Sequence, residues 1–402
     1  MKDIERGWST VGSTSYDKIY DRYRINYDLH AFANVMSEYV NNSYAAEASG
    51  STGISLGSLI LSVLKRIIEF LGDLITNIRK WFGDMKSALK KNIKGIFDAR
   101  GAKRNAIQTE IYNIDIQIKA LRKDTTKDDV EKAALIDSLL NRRAELMDKY
   151  EWLGDNFYVS NEHYRLFQDG YRIATEGIEH TMSIFQEFNA ELTAYQYIPL
   201  LQDIEASNIE RAKVNVHNKD EGIIGSYIND QVANASAAAK AGGAQYQKVW
   251  GENDPEYNEY VTMIDQYSNG YWKSENIANL QRLHELKARI TEVKTDGLIR
   301  EDVVAVKKST IHRMNELDDR DLAKSIEIEK ALKFYKSICE REYKRAGKLI
   351  DIRRRGVGFT IKNKKAPEYL LKTINTLTEM VNNYKGFCSH RASLVMSIST
   401  VV

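Results

Sequence analysis

Proline is nearly missing from this chain, with 3 in 402 residues. An interior proline removes a backbone donor and collides with the preceding turn, so its scarcity leaves room for long helices. Two of the three stand where helices are expected to begin. Pro255 follows Asn253 and Asp254, and Pro367 follows Lys365 and Ala366; the first helical turn tolerates proline because that N–H has no partner there. Cysteine is as scarce. Cys339 and Cys388 stand far apart with no paired spacing, which argues against a disulfide framework or a structural zinc site and for a reducing compartment. Long apolar runs are also missing. The most apolar, Leu59–Leu64, is stopped by Lys65 and Arg66, far short of the about 18 residues a spanning helix needs. The polar, tyrosine-rich opening from Met1 to Tyr39 lacks the pattern of a secretory signal peptide, so secretion by that route is not expected. Nor is there an excess of charge. A net +2 argues against a dedicated nucleic-acid binder while leaving room for local basic patches.

What remains is rich in helical pattern. Hydrophobic residues make up 43% and charged residues 28% of the chain, a balance that supports a folded core. Tyrosine is abundant, at 23 residues. It suits interfaces, having both apolar area and a hydroxyl, although a bias in the coding DNA would explain it as well. Residues 1–53 read as a Tyr/Ser-rich leader with a short helical pattern at Leu29–Val40, then a small-residue linker from Ala45 to Gly53. In the segment 54–100, Ile60, Leu64, Ile67, Leu71, Leu74, Ile78, Trp81 and Met85 follow steps of four and three and share one stripe, which Phe82 widens. Residues 59–97 hold eight Lys or Arg against three acids, making a basic amphipathic helix with expected breaks near Gly83 or Gly95.

Residues 101–218 read as a helical hairpin followed by a long helix. Ile107, Ile111, Ile114, Ile118 and Leu121 face Leu135, Leu139 and Leu146 across the polar turn Lys123–Asp129. A longer pattern joins Tyr164, Phe167, Tyr171, Ala174, Ile178, Phe185, Phe188, Leu192 and Tyr195, with Pro199 ending or kinking it. Residues 219–254 read as a Gly/Ala-rich connection. Residues 255–402 form a C-terminal bundle of three helical patterns: Pro255 to Val293; Leu322 to Ile352 with Ile328, Leu332, Tyr335, Cys339, Ala346 and Leu349 inward; and one from Pro367 with Leu370, Ile374, Leu377, Val381 and Tyr384 inward. The one stretch with any strand character is Val357–Ile361. The expected fold is all-α, with long antiparallel helices and helical hairpins forming an elongated bundle with little or no strand.

The usual chemical signatures are not there. No phosphate loop occurs, Gly356-Val357-Gly358 lacks a third glycine and a preceding buried strand, and His284-Glu285 fails as a zinc motif because position 288 is alanine. Glu316, Asp318, Asp319 and Asp321 lack the order and glycine of a calcium loop and read as a solvated helix start. His163 and His180, each preceded by a glutamate, read as surface or interhelical hydrogen-bonding groups. No catalytic residue, cofactor, metal or small-molecule substrate is therefore expected. Two surfaces remain as candidates. The stripe from Ile60 to Met85 either packs in the core or against a sister subunit, or offers residues 59–97 to a membrane surface or another protein's groove. The cations Lys344, Arg345, Lys348, Arg353, Arg354, Arg355, Lys362, Lys364 and Lys365, beside Tyr343 and Phe359, suit a polyanion such as DNA or the solvated end of a helix.

Tyr39 to Phe97, in which a polar leader and an Ala/Gly linker precede a basic, Trp-containing amphipathic helix, resembles the internal head proteins of large tailed bacteriophages. Ala45-Ala46-Glu47 also looks like the small-X-Glu sites cut by the prohead proteases of such phages, which makes Glu47 a candidate processing site. The resemblance implies a virion component inside the capsid, with self or other virion proteins as partners and contact with genome or shell. The competing expectations are a membrane-active helical protein, such as an ejected pore component or toxin, and a nucleic-acid-binding accessory or scaffold in the host cytoplasm.

Overall fold

A computed structural model describes residues 55–126, 128–195, 255–293, 302–354 and 366–400. Among the described residues the fold is all-α with one small two-stranded ribbon. In chain order the elements are α1 (Ser55–Lys123), α2 (Asp129–Trp152), β1 (Asn156–Ser160), α3 (Asn161–Ala194), α4 (Pro255–Ser268), α5 (Tyr271–Glu292), β2 (Val303–Lys307), α6 (Lys308–Arg354) and α7 (Ala366–Thr400). The leader with Leu29–Val40, the linker, Pro199, the 219–254 connection and Val357–Ile361 lie outside the described residues.

No helix end marks the boundary expected at 100/101. α1 is one helix of 69 residues, ~100 Å long at 1.5 Å per residue, and it passes through Gly83, Gly95 and Gly101 without a break. A Cβ at any of the three would meet nothing within 4 Å, so these are solvent-side glycines with no turn to make. The first half of α1 belongs to the body and the second half is an arm of the hairpin.

In the body, α1 lies antiparallel to α6. Arg79 bonds Glu329 at 2.5 Å, Lys86 approaches Asp319 at 3.2 Å, and Phe97 stacks on His312 with ring centroids 4.6 Å apart. Residues rise along one helix as they fall along the other. α6 begins at Lys308, fourteen residues before the expected Leu322, because its first turns place only Ile311 and Met314 on the core, too few to read as a stripe.

α7 is the centre of the body and packs against α1, α3, α4, α5 and α6. Leu370, Ile374, Leu377, Val381 and Tyr384 are buried as expected, but so are Leu371, Met380, Phe387, Leu394, Val395 and Ile398 on its other sides. A helix apolar all round belongs in the interior. α3 meets it at very short range. A Cβ on Gly177 would lie 2.4 Å from the Phe387 ring, and one on Gly170 would lie 2.9 Å from Leu394. These glycines, seven residues apart, receive side chains that are also seven apart, so large residues of α7 rest on the backbone of α3.

The pattern at 255–293 is two helices rather than one. The chain turns at Gly270, where Trp272 donates its indole N–H to Tyr267 O at 2.9 Å. A Cβ on Gly270 would sit 2.5 Å from that indole.

The ribbon has no counterpart in the sequence reading. β1 and β2 are antiparallel, with Tyr158 opposite Ala305; each has five residues, too few for a convincing period of two. The ribbon ties the hairpin to the body. Arg100 is buried and donates to Trp152 O at 3.1 Å and Asn156 O at 2.8 Å, with its guanidinium 4.2 Å from the Phe157 ring centroid. Beyond it, α1 and α2 form a hairpin with its own small core of Ile111, Ile114, Ile118 and Leu146, lined by Ile107, Ile136, Leu139, Met147 and Tyr150. Leu135 is 38% exposed. Ile136 takes the inward place expected for it, because the step back from Leu139 is three residues rather than four.

Candidate functional site

The stripe offered as a membrane or partner face is the floor of the main core. Leu64, Ile67, Leu71, Leu74, Ile78, Trp81 and Met85 are all at most 2% exposed, and Phe82 packs at the edge of the same cluster. Ile60 lies within α1, its side chain outside the described residues. Trp81 meets Tyr384 of α7 edge-on, with centroids 6.1 Å apart. In this fold α6 and α7 occupy the face that a membrane or partner would take. Among the described residues no helix is long and apolar enough to cross a membrane.

Of the candidate polyanion contacts, Lys344 is exposed on α6. Arg345, Lys348, Arg353 and Arg354 fall in the last turns of α6, with side chains outside the described residues, and Arg355, Lys362, Lys364 and Lys365 lie outside them altogether, as do Phe359 and Glu47. Tyr343 packs against the core.

The acidic run departs furthest from the sequence reading. Its carboxylates are not a solvated helix start, since they lie inside α6 and two of them hold a buried arginine. Arg391 of α7 bonds Asp318 through Nε at 2.5 Å and Asp321 through Nη2 at 2.5 Å, and reaches Thr175 Oγ1 of α3 at 3.4 Å. Tyr384 donates its hydroxyl to the Asp321 carbonyl. Side chains of α3, α6 and α7 thus meet around one guanidinium whose side chain is 2% exposed. Burial works against the charge of Arg391, but Asp318 and Asp321 more than offset it, so its pKa lies above the ordinary value. Asp318 goes the other way: burial pushes its carboxyl up to about 6 despite the arginine. Asp319 points outward to Lys86, and Glu316 is exposed.

A second cation is buried on the same helix. Lys385 is 1% exposed, its Nζ lies 3.1 Å from Asn77 Oδ1 and 5.8 Å from the Trp81 ring centroid, and burial pushes its pKa down to about 7. Sequence reasoning singles out neither Lys385 nor Arg391. The available signal is that these two are the only Lys, Arg, Asp or Glu residues between 380 and 402, set in an otherwise apolar helix where an isolated charge must be paired.

The histidines hold helices together. His163 is buried, with its pKa lowered by burial, and its Nε2 lies 3.3 Å from Ser397 Oγ; His180 on the same helix faces Glu275 of α5 at 3.8 Å. Cys339 and Cys388 are free and buried, and burial pushes both thiols up to about 12. Among the described residues no cluster of His, Cys, Asp or Glu is arranged to hold a metal ion.

The exposed large apolar residues lie mainly on the hairpin: Tyr112 (65%), Ile116 (47%), Val130 (76%), Leu135 and Leu140. In the body, Tyr271, Leu317 and Ile326 stand singly. No family model, curated protein or solved structure matches the chain.

Proposed function

We propose that this protein is a non-enzymatic structural component of a bacteriophage particle, carried inside the head and assembling through helical interfaces. The observation that supports assembly is the hairpin of α1 and α2. It stands outside the main core, is tied to the body by the Arg100 junction, and leaves a run of large apolar side chains uncovered where a partner can reach them. Five groups whose pKa values are displaced by burial or pairing support a role without catalysis. Arg391, Asp318, Lys385, Cys339 and Cys388 are sealed between helices, where no substrate can touch them. The phage-head setting rests on the organisation of residues 39–97.

The test is mass spectrometry of purified particles from a host carrying this gene. Peptides of the chain should be found in the particle, and its first residue there should be Ala48 if Glu47 is cut. Particles that lack the chain, with the protein left behind in the host cell, would defeat the reading. DNA contact is tested separately by replacing Arg353, Arg354 and Arg355 with alanine. That change should weaken DNA binding and flatten its dependence on salt, since fewer counterions are released.

A further inference from the structure

The hairpin carries a more specific statement, which rests on the assembly reading above. Its two helices are antiparallel, and their relative height is fixed by two cross-pairs: Arg142 to Glu110 at 3.1 Å and Arg143 to Asp115 at 2.8 Å. Facing away from the Ile111–Ile114–Ile118 seam, α1 carries an outer stripe of Tyr112, Ile116, Lys119 and Lys123, at steps of four, three and four. α2 carries an outer stripe of Val130, Ala134, Asp137, Asn141, Ala144 and Asp148, at steps of four and three. All ten residues are exposed.

The two stripes differ in kind and complement each other. That of α1 holds two large apolar side chains and two cations. That of α2 holds two alanines, which leave space, and two acids. The cross-pairs put Lys119 at the height of Asp137, Lys123 at the height of Val130 and Ala134, and Tyr112 at the height of Asn141 and Ala144. Among the described residues neither Lys119 nor Asp137 has an ion partner.

We propose that hairpins of successive copies pack side by side, the outer face of α1 in one copy against the outer face of α2 in the next. The antiparallel layer begun within one hairpin is then continued by its neighbour at the same height. Tyr112 fills the space above Ala144, Ile116 lies between Asp137 and Asn141, and Lys119 meets Asp137. The apolar contact supplies affinity and the charge pair supplies register. Because the two faces are different surfaces, the contact is head-to-tail and does not close at two copies; it grows into a ring or a row. Each contact is small, so growth is reversible and favoured by the crowding of a confined space.

Sedimentation velocity on the full chain over a wide concentration range tests this. The wild type should gain mass with concentration and pass beyond two copies. Lys119→Glu and Asp137→Lys should each weaken association about tenfold, and Tyr112→Ser by at least as much, with circular dichroism unchanged. An equimolar mixture of the two charge variants should reassemble. At one contact the carboxylate introduced at position 119 faces the ammonium introduced at position 137, and at the next contact the native pair forms. A single chain carrying both substitutions should also reassemble. A wild type that stays monomeric, a mass that levels at two copies, or charge variants that associate like the wild type would each overturn the proposal. None of these results bears on whether particles contain the chain, so the two readings fail separately.

Discussion

Arg391 and Lys385 lie about two turns apart on one buried helix and make opposite demands on it. Arg391 has two carboxylates, and the favourable charge contact offsets much of the cost of removing three charges from water. Replacing it with methionine leaves Asp318 buried without its cation and Asp321 with Lys324 alone at 2.9 Å, and should cost about 3–5 kcal/mol, read from urea unfolding. Adding Asp318→Leu and Asp321→Leu to Arg391→Met should recover most of that loss, because a well-packed apolar set often equals a buried ion network. Lys385 donates instead to the neutral amide oxygen of Asn77 at 3.1 Å. Its folded pKa of about 7 lies below the ordinary 10.5, so between these values the unfolded chain binds more protons than the folded one. Stability should therefore rise as pH increases from about 7 toward 10.5. Lys385→Met should raise stability at pH 7 and abolish that slope. A pH dependence that survives the substitution would assign the slope to another group.

At the scale of elements, apolar periodicity foretells which segments are helical but not where helices stop. α3 is legible from Tyr164 to Tyr195 because its whole length packs one stripe, and the structure ends it at Ala194. α1 reads as two helices because glycine usually marks a break, yet Gly83, Gly95 and Gly101 face solvent and nothing in the packing demands them. Changing any one to alanine should stabilise the protein by about 0.5–1 kcal/mol, seen as a raised midpoint in thermal unfolding. Gly177 looks the same in sequence and has the opposite role. Alanine there would press on Phe387 and should cost about 1–3 kcal/mol or more. No single-sequence rule separates the two kinds, since the difference lies in what the neighbouring helix places opposite. The hairpin has a core of its own, so its failures should stay local. Ile114→Asp should open α1 and α2 beyond Arg100, read as fast amide exchange there, while amides of α3 and α7 keep their protection.

For the whole molecule, the one-faced helices around the core are legible and the helix at its centre is not. α7 reads as one more amphipathic helix because five apolar residues at regular spacing are enough to suggest a stripe. Its interior position follows from Leu371, Met380 and three threonines between those five, and from Phe387, Leu394, Val395 and Ile398 after them, all buried. Thr373, Thr376 and Thr378 return their hydroxyls to carbonyls four residues back at 2.8 Å, so a helix rich in threonine can be buried without partners on its neighbours. The acidic run of α6 misleads for the same reason, since the cation that draws it inward lies about seventy residues further along the chain. The position of α7 also sets the order of events during synthesis. At roughly 5–20 residues per second, tens of seconds separate the appearance of α1 from that of α7. Until α7 emerges, Trp81 lacks Tyr384 and α3 lacks the side chains of Phe387 and Leu394 that rest on its glycines. The nascent chain is thus an open trough until its keystone arrives, and ribosomes paused before residue 366 should hold a chain that binds chaperones and is cut readily by protease.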